Sequence, residues 1–231
     1  MHIDPHGAAA GTPLADEIAA AVAQVPIDFG GGSSVFKGVL MGSLIVAEGL
    51  RTAVEIGVHR GRSLVALAVA ERAVGGHAWG IDPYLLTAYP DPTMGGAGPA
   101  GVDDWLREHD FDAAHGDALQ AIAGNRLEGS CTLLRLTSAD AAPRFEPGTI
   151  GLLHVDGNHS EDAVRDDLRR YLPRVRPGAI VVVDDISWGS VRRAAEPLLA
   201  GAEIVFELVD KENRAGLDFG NDFRVYRLPA A

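Results

Sequence analysis

Two short acidic turns carry the side chains in this chain best suited to chemistry. Asp156-Gly157-Asn158-His159 follows the apolar run TIGLLHV, and Asp184-Asp185 follows the apolar run AIVVV. Between them lies SEDAVRDDLRRYL, which reads as an amphipathic helix. Runs rich in Val, Ile and Leu suit strands of a parallel sheet covered on both faces, and the helix supplies the crossover that parallel pairing requires. In open sheets of this kind ligands bind beyond the carboxyl ends of the strands. Asp156, His159, Asp184 and Asp185 are therefore expected in one crevice, although about 25 residues separate the two groups. Three carboxylates suit a hard divalent cation, which takes oxygen ligands. An imidazole beside them titrates near neutrality, at about 6 to 7, and can remove a proton. The plain alternative is that the aspartates end a strand and cap a helix, while His159 caps the SEDAV helix. Four such residues at two neighbouring strand ends favour the metal reading.

The elements that position this crevice begin with TAVEIGV, residues 52–58, which reads as a strand feeding the turn HRGRS and a helix over about 63–74. A glycine-containing turn from strand to helix is where nucleotide-like cofactors sit, because the backbone can approach and the helix start favours anions. The pattern is not G-x-G-x-x-G. His59 stands where a pyrophosphate requires the second glycine, which argues against nicotinamide and flavin. The next strand, HAWGI, ends in Asp82-Pro83-Tyr84, and an acid there can accept hydrogen bonds from both hydroxyls of a ribose. The alternative for Asp82 is a turn-forming residue before proline. Residues 85–101 form a long irregular segment, expected as a lid with Tyr89, Met94 and Trp105 as acceptor contacts, or else a solvated loop.

Two helical stretches, VDDWLREH and FDAAHGDALQAIAGNRL, follow, with His109 and His115 read as surface or packing residues. CTLLRL is a third strand, with Cys131 as a small buried hydrophobe, and Ser138 is expected to cap the short helix after it. Beyond the acidic turns come a helix over about 190–199, the strand EIVFELV, a polar loop and the strand DFRVYRL, the last two strands forming an antiparallel hairpin. Upstream of everything, helices are expected over 13–25 and 35–50, the second apolar around much of its circumference and hence largely buried. The reading is an N-terminal arm and helical extension, 1–50, followed by an α/β domain, 51–231.

Composition narrows the partners. The 231 residues carry a net charge of −12, and lysine occurs only at Lys37 and Lys211. That balance argues against nucleic acid and anionic membrane surfaces. A single cysteine excludes a disulfide framework. No apolar run approaches the ~20 residues of a membrane span, and MHIDPHGAAAGT lacks the basic region and apolar core of a signal peptide, so a cytoplasmic location is expected. The expected partner is a small molecule, with homo-oligomerisation left open.

Five strand–helix units closed by an antiparallel hairpin resemble the class I S-adenosylmethionine-dependent methyltransferases: a Rossmann-like α/β fold, a mostly parallel seven-stranded sheet with helices on both faces, preceded here by a helical extension. VEIGVHRGRS resembles their first motif and GIDPY their acidic second-strand motif. HVDGNHSEDAVRDDLRRYLPRVRPGAIVVVDDISW resembles the metal-dependent sugar O-methyltransferases of natural-product biosynthesis, the macrocin, mycinamicin and novobiocin group. The resemblance implies Asp156, Asp184 and Asp185 as ligands of Mg2+ or another divalent cation, and His159 as general base. It implies Glu55, Gly57, Gly61 and Ser63 around the methionine part of S-adenosyl-L-methionine, with Asp156 beside them, Asp82 on the ribose and Ser138 by the adenine. Arg60 and Arg62 depart from the pattern by making the glycine turn unusually basic. The implied acceptor is a hydroxyl of a saccharide or glycosylated metabolite. A catechol acceptor, or a non-catalytic S-adenosylmethionine-binding protein, are the competing readings.

Overall fold

A central parallel strand is enclosed on both faces, and the TAVEI segment meets that requirement: β1 (Thr52–Ile56) is buried from Ala53 to Ile56. The computed structural model describes residues 12–27, 32–88, 102–209 and 222–230. Around β1 lie β2 (His77–Ile81), β3 (Cys131–Leu134), β4 (Ile150–Val155), β5 (Val175–Asp184), β6 (Glu203–Val209) and β7 (Asp222–Arg227). They form one sheet in the order β3-β2-β1-β4-β5-β7-β6. Pairing is parallel from β3 to β5, and β7 runs antiparallel to both β5 and β6. This is the Rossmann-like methyltransferase fold, with the C-terminal hairpin as expected. The chain leaves β1 toward β2 and β3 and returns on β1's other side as β4. The switch point, where crevices open in such sheets, thus lies between the tips of β1 and β4.

Helices cover both faces. On one, α1 (Pro13–Ala23), α2 (Val35–Glu48), α3 (Arg62–Val74) and α5 (Phe111–Gly124) bury Ile18, Met41, Ile45, Leu64 and Leu67 against Ala53, Leu152, Ile180, Val182 and Phe223. On the other, α6 (Ser138–Ala141), α7 (Glu161–Tyr171) and α8 (Gly189–Leu198) bury Val164, Leu168 and Val191 against Val54, Leu153, Val181 and Val183. The short α4 (Val102–Glu108) completes the set. Strand alternation sends residues i and i+2 to the same face. Glu55, His154 and Asp184 therefore project toward the α1–α2–α3–α5 side, a fact that shapes the site.

Several local boundaries differ from the sequence reading. The first strand ends at Ile56 rather than at residue 58, because Gly57 turns out of the extended region at φ +85°. Thr137, not Ser138, caps α6: its side chain accepts from the amide of Asp140, and Ser138 is the first helical residue. Ser160 caps α7 by accepting from the amide of Ala163, so His159 has no capping duty. Of the expected lid, residues 86–88 form a 3-10 turn, while Tyr89, Met94 and the remainder to residue 101 lie outside the described residues. Among the described residues no helix is long and apolar enough to cross a membrane.

Candidate active site

The site is built at the tips of β1, β4 and β5. The amide of Asp156 donates to the carbonyl of Ile56 at 2.8 Å, binding the β4 tip to the β1 tip. Gly57 passes directly beneath: a Cβ there would stand 2.0 Å from the carbonyl oxygen of Asp156. Glycine is needed at 57 both for its positive φ and for this approach. In the loop beyond, Asn158 Oδ1 accepts from the amide of Ser160 at 2.8 Å, an Asx turn that aims His159 back across the strand ends. The His159 ring packs on Trp188, centroids 4.8 Å apart.

The three aspartates do not form a single cluster. Asp184, still in strand geometry, faces α2, whereas Asp185 takes a left-handed φ of 50° and turns toward His159. Ligand atoms gather in two groups: His154, Asp156 and Asp184, and Asp156, His159 and Asp185, each within 4.8 Å. Asp156 belongs to both. The three expected carboxylates are thus divided between two neighbouring groups joined by Asp156. The cause is the alternation of neighbouring residues at a strand end.

The second group fits a divalent cation and a base. His159 Nε2 lies 2.8 Å from Asp185 Oδ2 and 3.8 Å from Asp156 Oδ1. The approach is off the hydrogen-bond direction, so both buried ring nitrogens lack a well-directed partner. Burial opposes a charge on His159, yet Asp185 and Asp156 outweigh it and hold the imidazolium up to about 10. Asp156 is pushed up to about 6 by burial and by Asp184. Lys37, His159 and His154 act in the opposite direction without cancelling that rise.

The first group contains one residue that the sequence reading passed over, His154, and a second, Lys37, lies against it. His154, wholly buried, sets Nδ1 2.8 Å from Glu55 Oε1 and Nε2 3.2 Å from Asp184 Oδ1. With carboxylates at both nitrogens it is held up to about 10 against the opposing effect of burial. Lys37 reaches down from α2, 1% exposed, pairs with Asp184 Oδ2 and stands 3.7 Å from Asp156 Oδ2. Burial would lower it, but Asp184 and Asp156 raise it. Asp184, despite burial, is held well below the usual carboxylate range by Lys37 and His154. Signals for both residues existed. Lys37 is the one basic residue in a helix read as largely buried, and His154 lies two residues before Asp156 on the same face of its strand.

The remaining predicted residues surround the β1 turn. Glu55 is fully buried and engaged by His154 through Oε1. Asp82 Oδ2 accepts from the amides of Val58 and His59, both at 3.0 Å, and Oδ1 from that of Tyr84 at 2.8 Å. Three of its roughly four acceptor positions thus brace the turn. Gly61 precedes α3 with φ +91°, and α3 begins without a side-chain cap bond, its positive dipole end toward the turn, with Ser63 buried in its first turn. Ser138 donates to Asp167 and so ties α6 to α7. The basic residues of the turn face inward and sideways. Arg62 is buried and donates to the carbonyls of Val22, Val25 and Ser33, locking the α1–α2 connection onto α3, and Arg60 pairs with Asp117. Trp105, expected as an acceptor contact, packs edge-on against His59 and tilted against His109.

Comparison with known proteins agrees with this architecture. The tetracenomycin enzyme 8-demethyl-8-(2,3-dimethoxy-alpha-L-rhamnosyl)-tetracenomycin-C 4'-O-methyltransferase of Streptomyces olivaceus is 26% identical over 146 residues, 61% of this chain and 55% of that enzyme. The match thus spans about half the length of that curated relative. The O-methyltransferase TomG from Streptomyces achromogenes, involved in tomaymycin synthesis and solved in complex with SAM, shares the fold at a TM-score of 0.60 and 20% identity, over 98% of this chain and 93% of its own. The O-methyltransferase NovP shares it at a TM-score of 0.62 and 16% identity, over 94% and 96%. A family profile described as a methyltransferase domain matches residues 54–186, more than half of the sequence. The chain belongs to that methyltransferase family.

Proposed function

We propose that the protein is an S-adenosylmethionine-dependent O-methyltransferase acting on a hydroxyl of a saccharide or glycosylated small molecule, with a divalent cation such as Mg2+ at the carboxylates and His159 as general base. The observation that carries this reading is the placement of His159 between Asp156 and Asp185, at strand tips beside the switch point. The saccharide is supported by the S. olivaceus relative, whose name specifies a rhamnosyl-bearing substrate and a 4'-O position.

S-adenosylmethionine supplies an electrophilic sulfonium methyl, and a divalent cation lowers the pKa of an acceptor hydroxyl. The protein's part is positioning and proton transfer. The β1 turn, from Gly57 through Gly61 to Ser63, receives the methionine end beside Glu55, Asp82 receives the ribose and Ser138 borders the adenine. The dipole of α3 favours the amino-acid carboxylate. Asp156 and Asp185 would hold the cation. His159 takes the hydroxyl proton on Nε2, for which it must first be neutral, and charge on Asp185 and Asp156 is what keeps it protonated in the ligand-free protein. Neutralising that charge removes the cause of the shift.

The test is methyl transfer to a panel of glycosylated acceptors, with and without chelator and with His159→Ala. The variant should retain S-adenosylhomocysteine binding and lose turnover by roughly 10²–10⁴-fold. Full turnover in chelator would remove the cation from the reading. A His159→Ala rate within a few-fold of wild type would remove the base.

A further inference from the structure

We propose that Lys37 is a built-in counter-ion that reserves Asp184, so that the divalent cation is carried by Asp156 and Asp185 without it. The inference rests on the cation reading above and refines which side chains hold the ion. Both oxygens of Asp184 already face positive partners: Lys37 at Oδ2 and His154 Nε2, 3.2 Å away, at Oδ1. The Asp185 carboxylate, among the described residues, meets an imidazole whose nitrogens lack a well-directed hydrogen bond. Among the described residues Lys37 is enclosed by α2 and the sheet, its ammonium 5.9 Å from the centre of the Phe223 ring. Drawing Asp184 into a metal shell would take the nearer carboxylate from that buried ammonium and leave it only Asp156 at 3.7 Å, itself assigned to the cation, a cost that buried pairs exact when one partner is withdrawn. Two cations at one carboxylate would also repel each other at short range in a low-dielectric site. Lys37 is thus a positioning residue. It fixes Asp184 against α2 and sets the cation toward His159.

The chain's lysine content makes this directly observable. Only Lys37 and Lys211 are present, so side-chain 15N-lysine labelling yields two ammonium signals, and the buried one exchanges slowly with water. Titrating the intact protein with Mg2+ alone should leave the Lys37 signal present and protected at saturation. In calorimetry with Mg2+, Asp185→Asn should weaken binding by about tenfold or more, and Asp184→Asn by no more than about threefold. Lys37→Met, which frees Asp184 and removes a cation 3.7 Å from Asp156, should strengthen binding by about tenfold. Loss of protection at Lys37 as Mg2+ saturates would overturn the inference, as would equal damage from Asp184→Asn and Asp185→Asn. Both outcomes leave the cation reading standing. Absence of Mg2+ binding overturns the two together. The wild-type spectrum decides the matter even where a variant fails to fold.

Discussion

Replacing Gly57 with alanine probes the contact that joins the turn after β1 to the loop after β4. Two costs are separable. An alanine held at φ +85° bears left-handed strain of roughly 1 kcal/mol. Its Cβ would also meet the carbonyl oxygen of Asp156 at 2.0 Å, the carbonyl carbon at 2.5 Å and Gly157 Cα at 2.7 Å. These are backbone atoms of the β4 tip, tied to β1 by the Asp156 amide, and no side-chain rotation relieves them. Separating the tips by the ~1 Å needed adds roughly 2–3 kcal/mol, the range of overpacking in a close-packed interior. Gly61 is the internal control. Its φ is +91°, but an added Cβ would meet Ala118 at an ordinary 3.4 Å. Gly61→Ala should therefore cost only the roughly 1 kcal/mol of strain, and Gly57→Ala about 3–4 kcal/mol. Urea unfolding of both variants measures the difference. S-adenosylhomocysteine calorimetry should show the larger loss in Gly57→Ala, since movement of Asp156 carries His159 with it. Equal destabilisation by the two substitutions would refute the close-approach argument.

Other expectations follow from the same geometry. The His159 imidazole, followed by NMR, should titrate at about 10 in metal-free protein and move down on adding Mg2+; an unchanged midpoint would count against the proposed cation beside Asp156 and Asp185. Arg62→Met leaves the carbonyls of Val22, Val25 and Ser33 without their shared donor and should destabilise the fold by about 2–4 kcal/mol, seen in urea unfolding. Glu71 is wholly buried, and burial pushes it up to about 8 from its ordinary 4.5. The folded state therefore keeps a proton that the unfolded chain releases above about 4.5. Its contribution is complete below that value and falls away as pH rises toward 8, by up to about 4 kcal/mol. Glu71→Gln should flatten the stability profile across this window; a profile unchanged from wild type would show that Glu71 is ionised in the fold.

The sequence alone determined the alternation of strands and helices, the closing hairpin and the acidic tips of β4 and β5. Those features are written locally. Apolar periodicity identifies each element, and a strand-end residue needs no long-range information to be recognised as one. Even the glycine turn after β1 was readable, because a positive φ and a strand-to-helix corner leave a local signature. What only the tertiary structure decided is which groups share a charge environment. Glu55 meets His154 because β1 and β4 pair in that register, and Lys37 reaches Asp184 across 147 positions of sequence because α2 covers that face of the sheet. Arg62, expected to make the turn basic, donates instead to carbonyls at the end of α1 and in the connection to α2. The separation of Asp184 from Asp185 had a local cause, strand alternation ending in a left-handed residue, but its consequence did not. Whether a carboxylate is free to bind a cation depends on what is packed above it, and burial of opposite charges from distant segments leaves no periodic trace in a sequence.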